Sequence, residues 1–538
     1  MKHFYNKFLI GCVSGLLTLA GCMGNFEEWN TNQHEATDDM LSRDNLDTGS
    51  FFVQMQKNVF VLEQMNPDGT GIGGSVYQVI DNLAGASFAG YTGACGTWYG
   101  QANYLTYKMD IEWRDAAFER AFVGIMSAWD KMTKKAEEQQ QPQIAALATI
   151  VKVLAMSRTT DMYGPLPYTK FGNGEVYNPY DSQEVIYNSF FDELNEAIDV
   201  LNDLYQKDSS VKVMEKYDFV YNGNVESWIR FANSLKLRLA MRIVYANEAK
   251  AKQMAEEAVA HPVGVMEKAS EIAKLQHTAD FVYRHPLFII SIGEFFDARM
   301  GAVMDSYMNG YNDPRMSAYF QKNQSGEYTG IRTGINIVRE AYSSSGLFSD
   351  LNVSATDELV WMNPSEMYFL RAEGTIRGWN MNGAAQSLYE SGVRTSFEVS
   401  GVSGAEAYLG DDTSVPANYS DPATPGNNLS ASSDITIKWD EETGFEKKLE
   451  RIITQKYLAI YPDGEEAWAE FRRTGYPRVF PVAINKSDGK ISTEKQVRRI
   501  PFPSTEYRDN NANVLQAITL LGGEDTGGTS LWWDKKNN

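Results

Sequence analysis

Apolar residues recur at helical spacing along most of the chain, which predicts a mainly α-helical protein. Phe52, Met55, Val59 and Leu62 form the first apolar stripe. Similar patterns predict helices over 115–135, 142–161, 184–201, 224–243, 248–260, 365–377, 384–398, 446–460 and 465–473. Several of these helices follow one another across short turns, as in tetratricopeptide-like helical hairpins. We expect about four such hairpins, although no strict 34-residue period can be fitted to the chain.

Local chemistry predicts where some of these helices begin. Pro142 suits a first helical turn, where a missing N–H is not needed. Asp181 and Glu184 resemble a capping box, and Val185 begins the apolar face of the helix that follows. Asn224 is a suitable N-cap for the next helix.

Two segments lack this periodicity and are predicted to be loop-rich. Residues 66–110 contain many Gly, Tyr and Trp residues with little regular period. Residues 400–434 are polar and rich in Ser, Asn, Asp, Pro and Gly, which favours a long surface excursion. Length alone would allow several domains, and the family resemblance described below implies a single helical domain over residues 45–538.

The N-terminus has the pattern of a secretion signal. Lys2 and Lys7 precede an apolar run over 8–20, which is too short to span a bilayer. The sequence Leu-Ala-Gly-Cys at 19–22, where this run ends, resembles the lipobox of bacterial lipoproteins. We therefore expect a signal peptide over 1–21, lipidation of Cys22 and a leader over 22–44. The acidic pair at 27–28 resembles a signal for export to the outer face of the outer membrane.

The net charge of the chain limits the classes of molecule that it can bind. The net charge of −21 argues against nucleic acid, because phosphate contacts need basic surface. We expect nearly all of the 70 Asp and Glu residues to lie on solvated surface.

The cysteine content leaves no pair for a disulfide bond. Cys12 leaves with the signal peptide and Cys22 carries lipid, so Cys95 is left without a disulfide partner. Cys95 is predicted to be a small buried filler rather than a catalytic thiol.

No catalytic or metal motif is legible, and we predict no cofactor, metal or enzymatic activity. The chain lacks H-E-x-x-H, C-x-x-C, P-loop and G-x-S-x-G patterns. Gly69 to Gly74 satisfies G-x-G-x-x-G, but the segment before it has a helical rather than a strand period. Bound calcium and a carboxylate pair for glycoside hydrolysis stay open, because no particular acids are singled out.

Several short motifs occur in an order that resembles the SusD/RagB family of outer-membrane nutrient-binding lipoproteins. The resemblance covers essentially the whole chain after the signal peptide. Besides the lipobox, the motifs that carry it are NFEEWNTN at 25–32, DMYGPLPY at 161–168, DPRM at 313–316, EMYFLRAE at 366–373 and RIPFP at 499–503.

This resemblance implies a SusD-like fold of helical hairpins with loop-rich insertions that build the binding face. It implies capture of nutrient outside the cell and delivery to a SusC-like TonB-dependent barrel transporter, without chemistry on the cargo. An oligosaccharide cargo is favoured on family frequency, and an oligopeptide is the alternative. A surface glycan hydrolase and a helical-repeat module for protein interaction are the other hypotheses considered.

Aromatic residues are the predicted ligand contacts, because their faces stack on sugar rings or grip peptide side chains. Trp98 and Tyr99 lead this prediction, since Gly96 and Gly100 beside them would let a ligand approach. The further predicted contacts are Tyr91, Tyr104 and Tyr342, and Tyr107 belongs to the same aromatic stretch. Arg299 is assigned to a structural ion pair with Asp297 or a neighbouring acid rather than to a ligand.

Overall fold

The computed structural model describes residues 45–62 and 74–536, and it is mainly helical, as predicted. The principal helices are α1 Leu46–Val59, α2 over 75–89, α3 over 113–138, α4 Pro142–Tyr163, α5 Gln183–Lys207, α6 Val225–Arg242, α7 Glu248–Ala260, α8 Ala302–Gly310, α9 Ser365–Ile376, α10 Ala385–Val399, α11 Phe445–Ala459, α12 Gly464–Thr474, α13 Ser504–Asp509 and α14 Asn511–Leu521. Helices α2 and α3 contain the π-helical segments Gln78–Ala86 and Ala121–Met126.

Short elements complete the chain. Four strands form two small antiparallel sheets, in which β1 Thr92–Ala94 pairs with β3 Ala298–Met300, and β2 Ala273–Leu275 pairs with β4 Leu359–Met362. The remaining helical turns are Trp98–Gln101, Tyr104–Thr106, Ala269–Glu271, Pro286–Phe288, Ile289–Gly293, Met316–Tyr319, Arg339–Tyr342, Ala405–Leu409 and Pro425–Asn427.

Neighbouring helices pack in pairs around a common hydrophobic core. Helix α4 packs on α5, α6 on α7, and α9 on α10, while α11 lies against α9 and α12 against α2. Apolar stripes predicted from the sequence supply this core, for example Phe191 and Leu194 on α5 and Trp228 and Leu235 on α6. The tetratricopeptide-like character of the pairs stays a prediction.

Helix α6 begins directly after the predicted capping residue, whereas the cap of α5 lies one residue later than predicted. The Asn224 side chain accepts a hydrogen bond from the Ser227 N–H, as expected for an N-cap. Helix α5 is capped by Ser182 rather than Asp181, whose carboxylate instead accepts from the backbone of Thr169 at 2.7 Å. Val185, predicted on the apolar face of α5, is 44% exposed, because it lies opposite the side of the helix on which Gln183 and Ile186 are buried.

Helix α2 corrects the prediction that residues 66–110 are loop-rich throughout. Eight of the nine residues over Gln78–Ala86 are buried, including the polar Gln78, Asp81 and Asn82, so this part of α2 has no solvated face. Gly85 allows the backbone of α2 to approach α12, since a Cβ there would lie 2.6 Å from the Glu465 nitrogen. Most of the Gly69–Gly74 segment lies outside the described residues.

A network of buried ion pairs joins six helices at the centre of the molecule, and it corrects the expectation that nearly all acids are solvated. Arg473 donates to both oxygens of Glu373 at 2.7 and 2.6 Å and also binds Glu470. Arg242 donates to Glu466 and Glu470 at 2.5 and 2.8 Å. These five side chains are at most 5% exposed. They connect α6, α9 and α12.

The network continues into α11, α4 and, through Asp81, α2. Lys456 of α11 lies 2.8 Å from Glu466 and 3.1 Å from Glu366, which also binds Arg238 of α6. Arg158 of α4 bridges Asp81 and Asp463, each at 2.7 Å. Because each buried charge has an opposite charge in contact, the helices are held in one relative arrangement.

The segment 400–434 is ordered by side chains that reach inward. Tyr408 and Tyr419 are buried, and the Tyr419 hydroxyl donates to the Gly330 carbonyl at 3.0 Å. About half of its residues are exposed, so the segment runs over the surface and these side chains anchor it to the body. The predicted signal peptide, Cys22 and the leader over 22–44 lie outside the described residues. Within the described residues, none of the helices combines the length and the apolar character needed to cross a bilayer.

Candidate ligand-binding surface

Four aromatic rings meet at the N-terminal end of α3, and Trp113 is at their centre. Its ring centroid lies 5.9 Å from Trp98, 5.6 Å from Tyr99 and 5.4 Å from Tyr104, each in an edge-to-face arrangement. Such pairs are worth about 0.5–1.5 kcal/mol each beyond the area they bury. Trp98 and Trp113 also pack on a small apolar cluster of Leu83, Ala94 and Leu105. We call Trp98, Tyr99 and Trp113 the aromatic platform.

Gly96 lets the Trp98 indole lie against the backbone. A Cβ at Gly96 would come within 2.4 Å of the benzenoid carbons of Trp98, a distance that real contacts do not show. The ring therefore occupies the space that any other side chain at position 96 would need. This packing fixes the position of Trp98, which keeps part of its surface exposed.

The backbone under Tyr99 has an unusual conformation. Tyr99, Gly100 and Gln101 have φ values of 52°, 58° and 62°, so three successive residues, two of them not glycine, occupy the left-handed region. Each such residue costs roughly 1 kcal/mol and persists only where its surroundings hold it. Tyr99 is 51% exposed despite its size, and this places a strained aromatic residue on open surface.

Hydrogen bonds hold the platform loop in this conformation. The Gln101 side chain accepts from the Ile337 N–H at 2.8 Å and donates to the Ile337 carbonyl at 3.2 Å. Asn103 donates from its side chain to the Trp98 carbonyl at 3.0 Å. Thr106 donates to the Gln101 carbonyl at 2.8 Å. The loop is thus preorganised, and a ligand would not have to order it.

Three of the predicted ligand contacts are buried instead of exposed. Tyr91 is fully buried, donates to the Tyr457 carbonyl and stacks near Tyr457 with ring centroids 4.6 Å apart. Tyr104 is also fully buried, beneath the platform. Tyr342 is 1% exposed, donates to Asp421 at 2.8 Å and stacks on Phe348. Their rings offer no free face, because they fill core positions.

Other residues singled out in the sequence have structural roles here. Tyr107 is buried. Arg299 pairs with Asp350 at 3.1 Å, while Asp297 pairs with Arg339. Cys95 is fully buried, as predicted, and burial raises the pKa of its thiol to about 12. A thiol held in its neutral form is a poor nucleophile.

Trp113 was missed because it precedes the apolar stripe of α3 and lies outside the aromatic stretch 91–107. The only feature of the sequence that could have pointed to a ligand contact at this position is that the residue is a tryptophan. Sequence reasoning also missed a cleft of about 350 Å³ beside the platform, whose walls come from three distant segments. Lys486 connects the two features: its backbone N–H donates to the Thr106 carbonyl at 2.7 Å, and its side chain reaches the Gly100 carbonyl at 3.4 Å.

The platform offers exposed ring faces and edges beside polar backbone, which suits the apolar face of a sugar ring or a peptide side chain. Among residues 45–62 and 74–536, no three His, Cys, Asp or Glu side chains converge as a metal site would require.

Comparison with known proteins identifies the family. A family model described as SusD-like, the SusD and RagB outer membrane lipoproteins, matches residues 28–534. The chain belongs to the SusD/RagB family. The resemblance predicted from the sequence motifs is therefore confirmed. None of the curated proteins searched matches the chain.

Solved SusD-like structures share the fold over nearly their full length. A chitin-binding SusD homolog from Flavobacterium johnsoniae is 40% identical, with a TM-score of 0.86, and the match covers 91% of this chain and 99% of that chain. A SusD homolog from Bacteroides uniformis is 39% identical with a TM-score of 0.84 and the same coverage. A SusD-like protein from Bacteroides thetaiotaomicron is 35% identical, also with a TM-score of 0.84 and that coverage.

Proposed function

We propose that this protein is a cell-surface lipoprotein that captures oligosaccharide and delivers it to a SusC-like TonB-dependent barrel transporter. It binds its cargo without cleaving it. Membership of the SusD/RagB family and a chitin-binding relative that is 40% identical support a glycan cargo. The observation that carries the proposal is the aromatic platform, in which Trp98 and Tyr99 keep exposed surface on a loop that is already ordered.

Physical chemistry favours a sugar chain on this surface. The apolar face of a pyranose ring can cover an exposed aromatic ring, while its hydroxyls keep contact with water and neighbouring polar groups. An open platform buries little of each ring, so we expect weak to moderate affinity when the transporter is absent. N-acetylglucosamine oligomers are the first ligands to test, given the chitin-binding relative.

Anchoring follows from the N-terminal sequence. Acylation of Cys22 would hold the protein on the outer membrane, because each buried methylene contributes about 0.8 kcal/mol. The leader over 22–44 would connect the lipid to the body. Mass spectrometry of the protein extracted from membranes tests this directly, and a mature chain that begins elsewhere and lacks acyl groups would contradict it.

Calorimetry against two ligand panels tests the cargo class. We expect saturable binding of N-acetylchito-oligosaccharides or another oligosaccharide, and no heat from oligopeptides of similar length. Binding of peptides alone would overturn the glycan assignment. Chromatography of the same oligosaccharides after long incubation tests the absence of cleavage, and the appearance of shorter products would establish a hydrolase instead.

Co-purification tests the partnership. Solubilised outer membranes should yield the protein together with a TonB-dependent barrel, and the complex should persist without added ligand. Recovery of the protein with other surface proteins, but never with a barrel, would favour the protein-interaction module.

A further inference from the structure

The cleft beside the aromatic platform has a composition that the platform does not explain. It is lined by residues from 107–114, 486–491 and 501–527, more than half of them polar or charged. The apolar and aromatic walls come from Tyr107, Met109, Ile491, Pro501 and Tyr507. Its volume of about 350 Å³ is near the lower end of the range for small-ligand pockets. Four cationic residues, Lys108, Arg114, Lys486 and Lys490, contribute to it in a chain whose net charge is −21.

The three carboxylates of the cleft are already engaged. Asp110 and Asp488 both pair with Lys108, at 3.3 and 3.5 Å. Asp525 accepts from Arg499, from the Phe502 N–H and from the Tyr507 hydroxyl. Part of the negative charge of the cleft is therefore offset within the protein: that of Asp525 by Arg499, and that of Asp110 and Asp488 by the one charge of Lys108.

The cations, in contrast, keep unused donor capacity. Arg114 lies 3.9 Å from Asp115, whose two oxygens already accept from Ser504. Lys486 makes one long bond, of 3.4 Å, to the Gly100 carbonyl. Lys490 is exposed and interacts with Asp110 only through its electrostatic field. Lysine and arginine donors with spare capacity around a cleft favour an anionic guest.

We propose that this cleft is a subsite for an anionic substituent, a sulfate or carboxylate group, on the saccharide whose rings lie on the aromatic platform. The inference rests on the proposed function, since the platform positions the chain. Adjacency supports it: Arg114 follows Trp113 of the platform, and Lys486 bonds to the loop that carries Tyr99. A sugar chain that leaves the platform on this side meets the three cations.

The test compares matched ligands on the whole secreted domain. N-acetylchitohexaose is titrated beside the same hexasaccharide carrying 6-O-sulfate groups and beside a form with its 6-hydroxyls oxidised to carboxylates. At low salt we expect each acidic form to bind roughly tenfold more tightly than the neutral parent. This preference should shrink in 0.5 M NaCl, where charges are screened within a few ångströms. The two acidic ligands distinguish a general anion site from one selective for sulfate or carboxylate.

Variants locate the effect. The single variant Lys490→Gln, which does not touch the platform loop, should reduce the acidic preference to about threefold or less while leaving neutral affinity unchanged. Lys207→Gln at the exposed end of α5, a lysine that does not line the cleft, is the matched control and should change nothing. Equal affinities for acidic and neutral ligands, or an acidic preference untouched by Lys490→Gln, would overturn the subsite.

The outcomes separate this inference from the proposed function. If the neutral ligand binds and Trp98→Ala abolishes binding, but no acidic preference exists, the subsite fails and glycan capture stands. If neither these ligands nor any other oligosaccharide of the panel binds, both fail. If only acidic ligands bind, with loss in the lysine variant and no effect of Trp98→Ala, the anion site stands and the platform assignment fails.

Discussion

Two regions of the molecule depart from the usual placement of residues: charged side chains are buried at the centre of the helical scaffold, and aromatic side chains are exposed on the aromatic platform. At the centre, Arg473, Glu373 and Glu470 are almost completely buried. On the platform, Tyr99 is half exposed and Trp98 partly exposed. Charges normally face water and large aromatic rings normally avoid it, so both arrangements need a physical reason.

The two reasons differ. The buried charges are stable because each has several opposite partners at hydrogen-bond distance, and removing any one partner strands another charge. The exposed rings are held by packing on Gly96 and Trp113, and by a backbone that other hydrogen bonds keep in place. The comparison teaches that ion pairs hold the helices of the scaffold together, whereas the aromatic rings lie on the surface of that scaffold. Changes at the centre should therefore alter stability, and changes on the platform should alter binding.

The largest effect is expected from Arg473→Met. This variant leaves Glu373 and Glu470 without their shared partner in the interior, so the free energy of unfolding should fall by about 3–5 kcal/mol. Arg394→Met is the control, because Arg394 forms an exposed pair with Glu406, and it should cost at most about 1 kcal/mol. Urea unfolding followed by circular dichroism measures both. Equal losses would show that the buried network has no special role.

A pH effect of opposite sign to ordinary acid denaturation is expected from Glu465. Burial, only partly offset by Arg472 and Arg158, raises its pKa to about 8. One carboxylate oxygen also lacks a hydrogen-bond partner among the described residues. The folded state thus keeps a proton that the unfolded chain releases near pH 4.5. The contribution of Glu465 to stability is present below that pH and is lost as pH rises toward 8.

Glu465→Gln tests this sign. Relative to wild type, the variant should gain stability as pH rises from 5 to 7.5, by up to about 1.4 kcal/mol for each pH unit. Unfolding curves at several pH values give the difference directly. A constant difference between the two proteins over this range would contradict a neutral Glu465.

On the platform, Trp98→Ala should weaken oligosaccharide binding at least tenfold, about 1.4 kcal/mol, because a partly exposed ring that contacts ligand is lost. The melting temperature should change little compared with Arg473→Met. Phe445→Ala, a partly exposed aromatic residue at the start of α11, is the control and should leave binding unchanged. A large loss of stability without loss of binding would reverse the roles assigned to the two regions.

The smallest effect is expected from Gly96→Ala. The added Cβ would meet the Trp98 ring, so the ring must shift and affinity should fall by a few fold although every aromatic residue is retained. Gly426→Ala is matched to it, because a Cβ at Gly426 meets nothing within 4 Å among the described residues and its φ is not in the left-handed region. Calorimetry should show affinity reduced only in Gly96→Ala.

The sequence predicted the scaffold better than the site. Apolar stripes located helices such as α7 within a residue or two, because these helices have one buried and one solvated face. Helix α2 was missed because it is buried all round, and the acids of α12 were assigned to solvent because residue type does not report burial. Trp98 and Tyr99 were selected from composition, but the burial of Tyr91, Tyr104 and Tyr342 depends on contacts with distant segments.

A crystal structure of the secreted domain with bound N-acetylchitohexaose tests the central claim most directly. The account predicts a sugar ring in van der Waals contact with Trp98 and Tyr99, with the platform loop and its positive φ values unchanged. A saccharide bound elsewhere on the surface, with both rings uncovered, would contradict it.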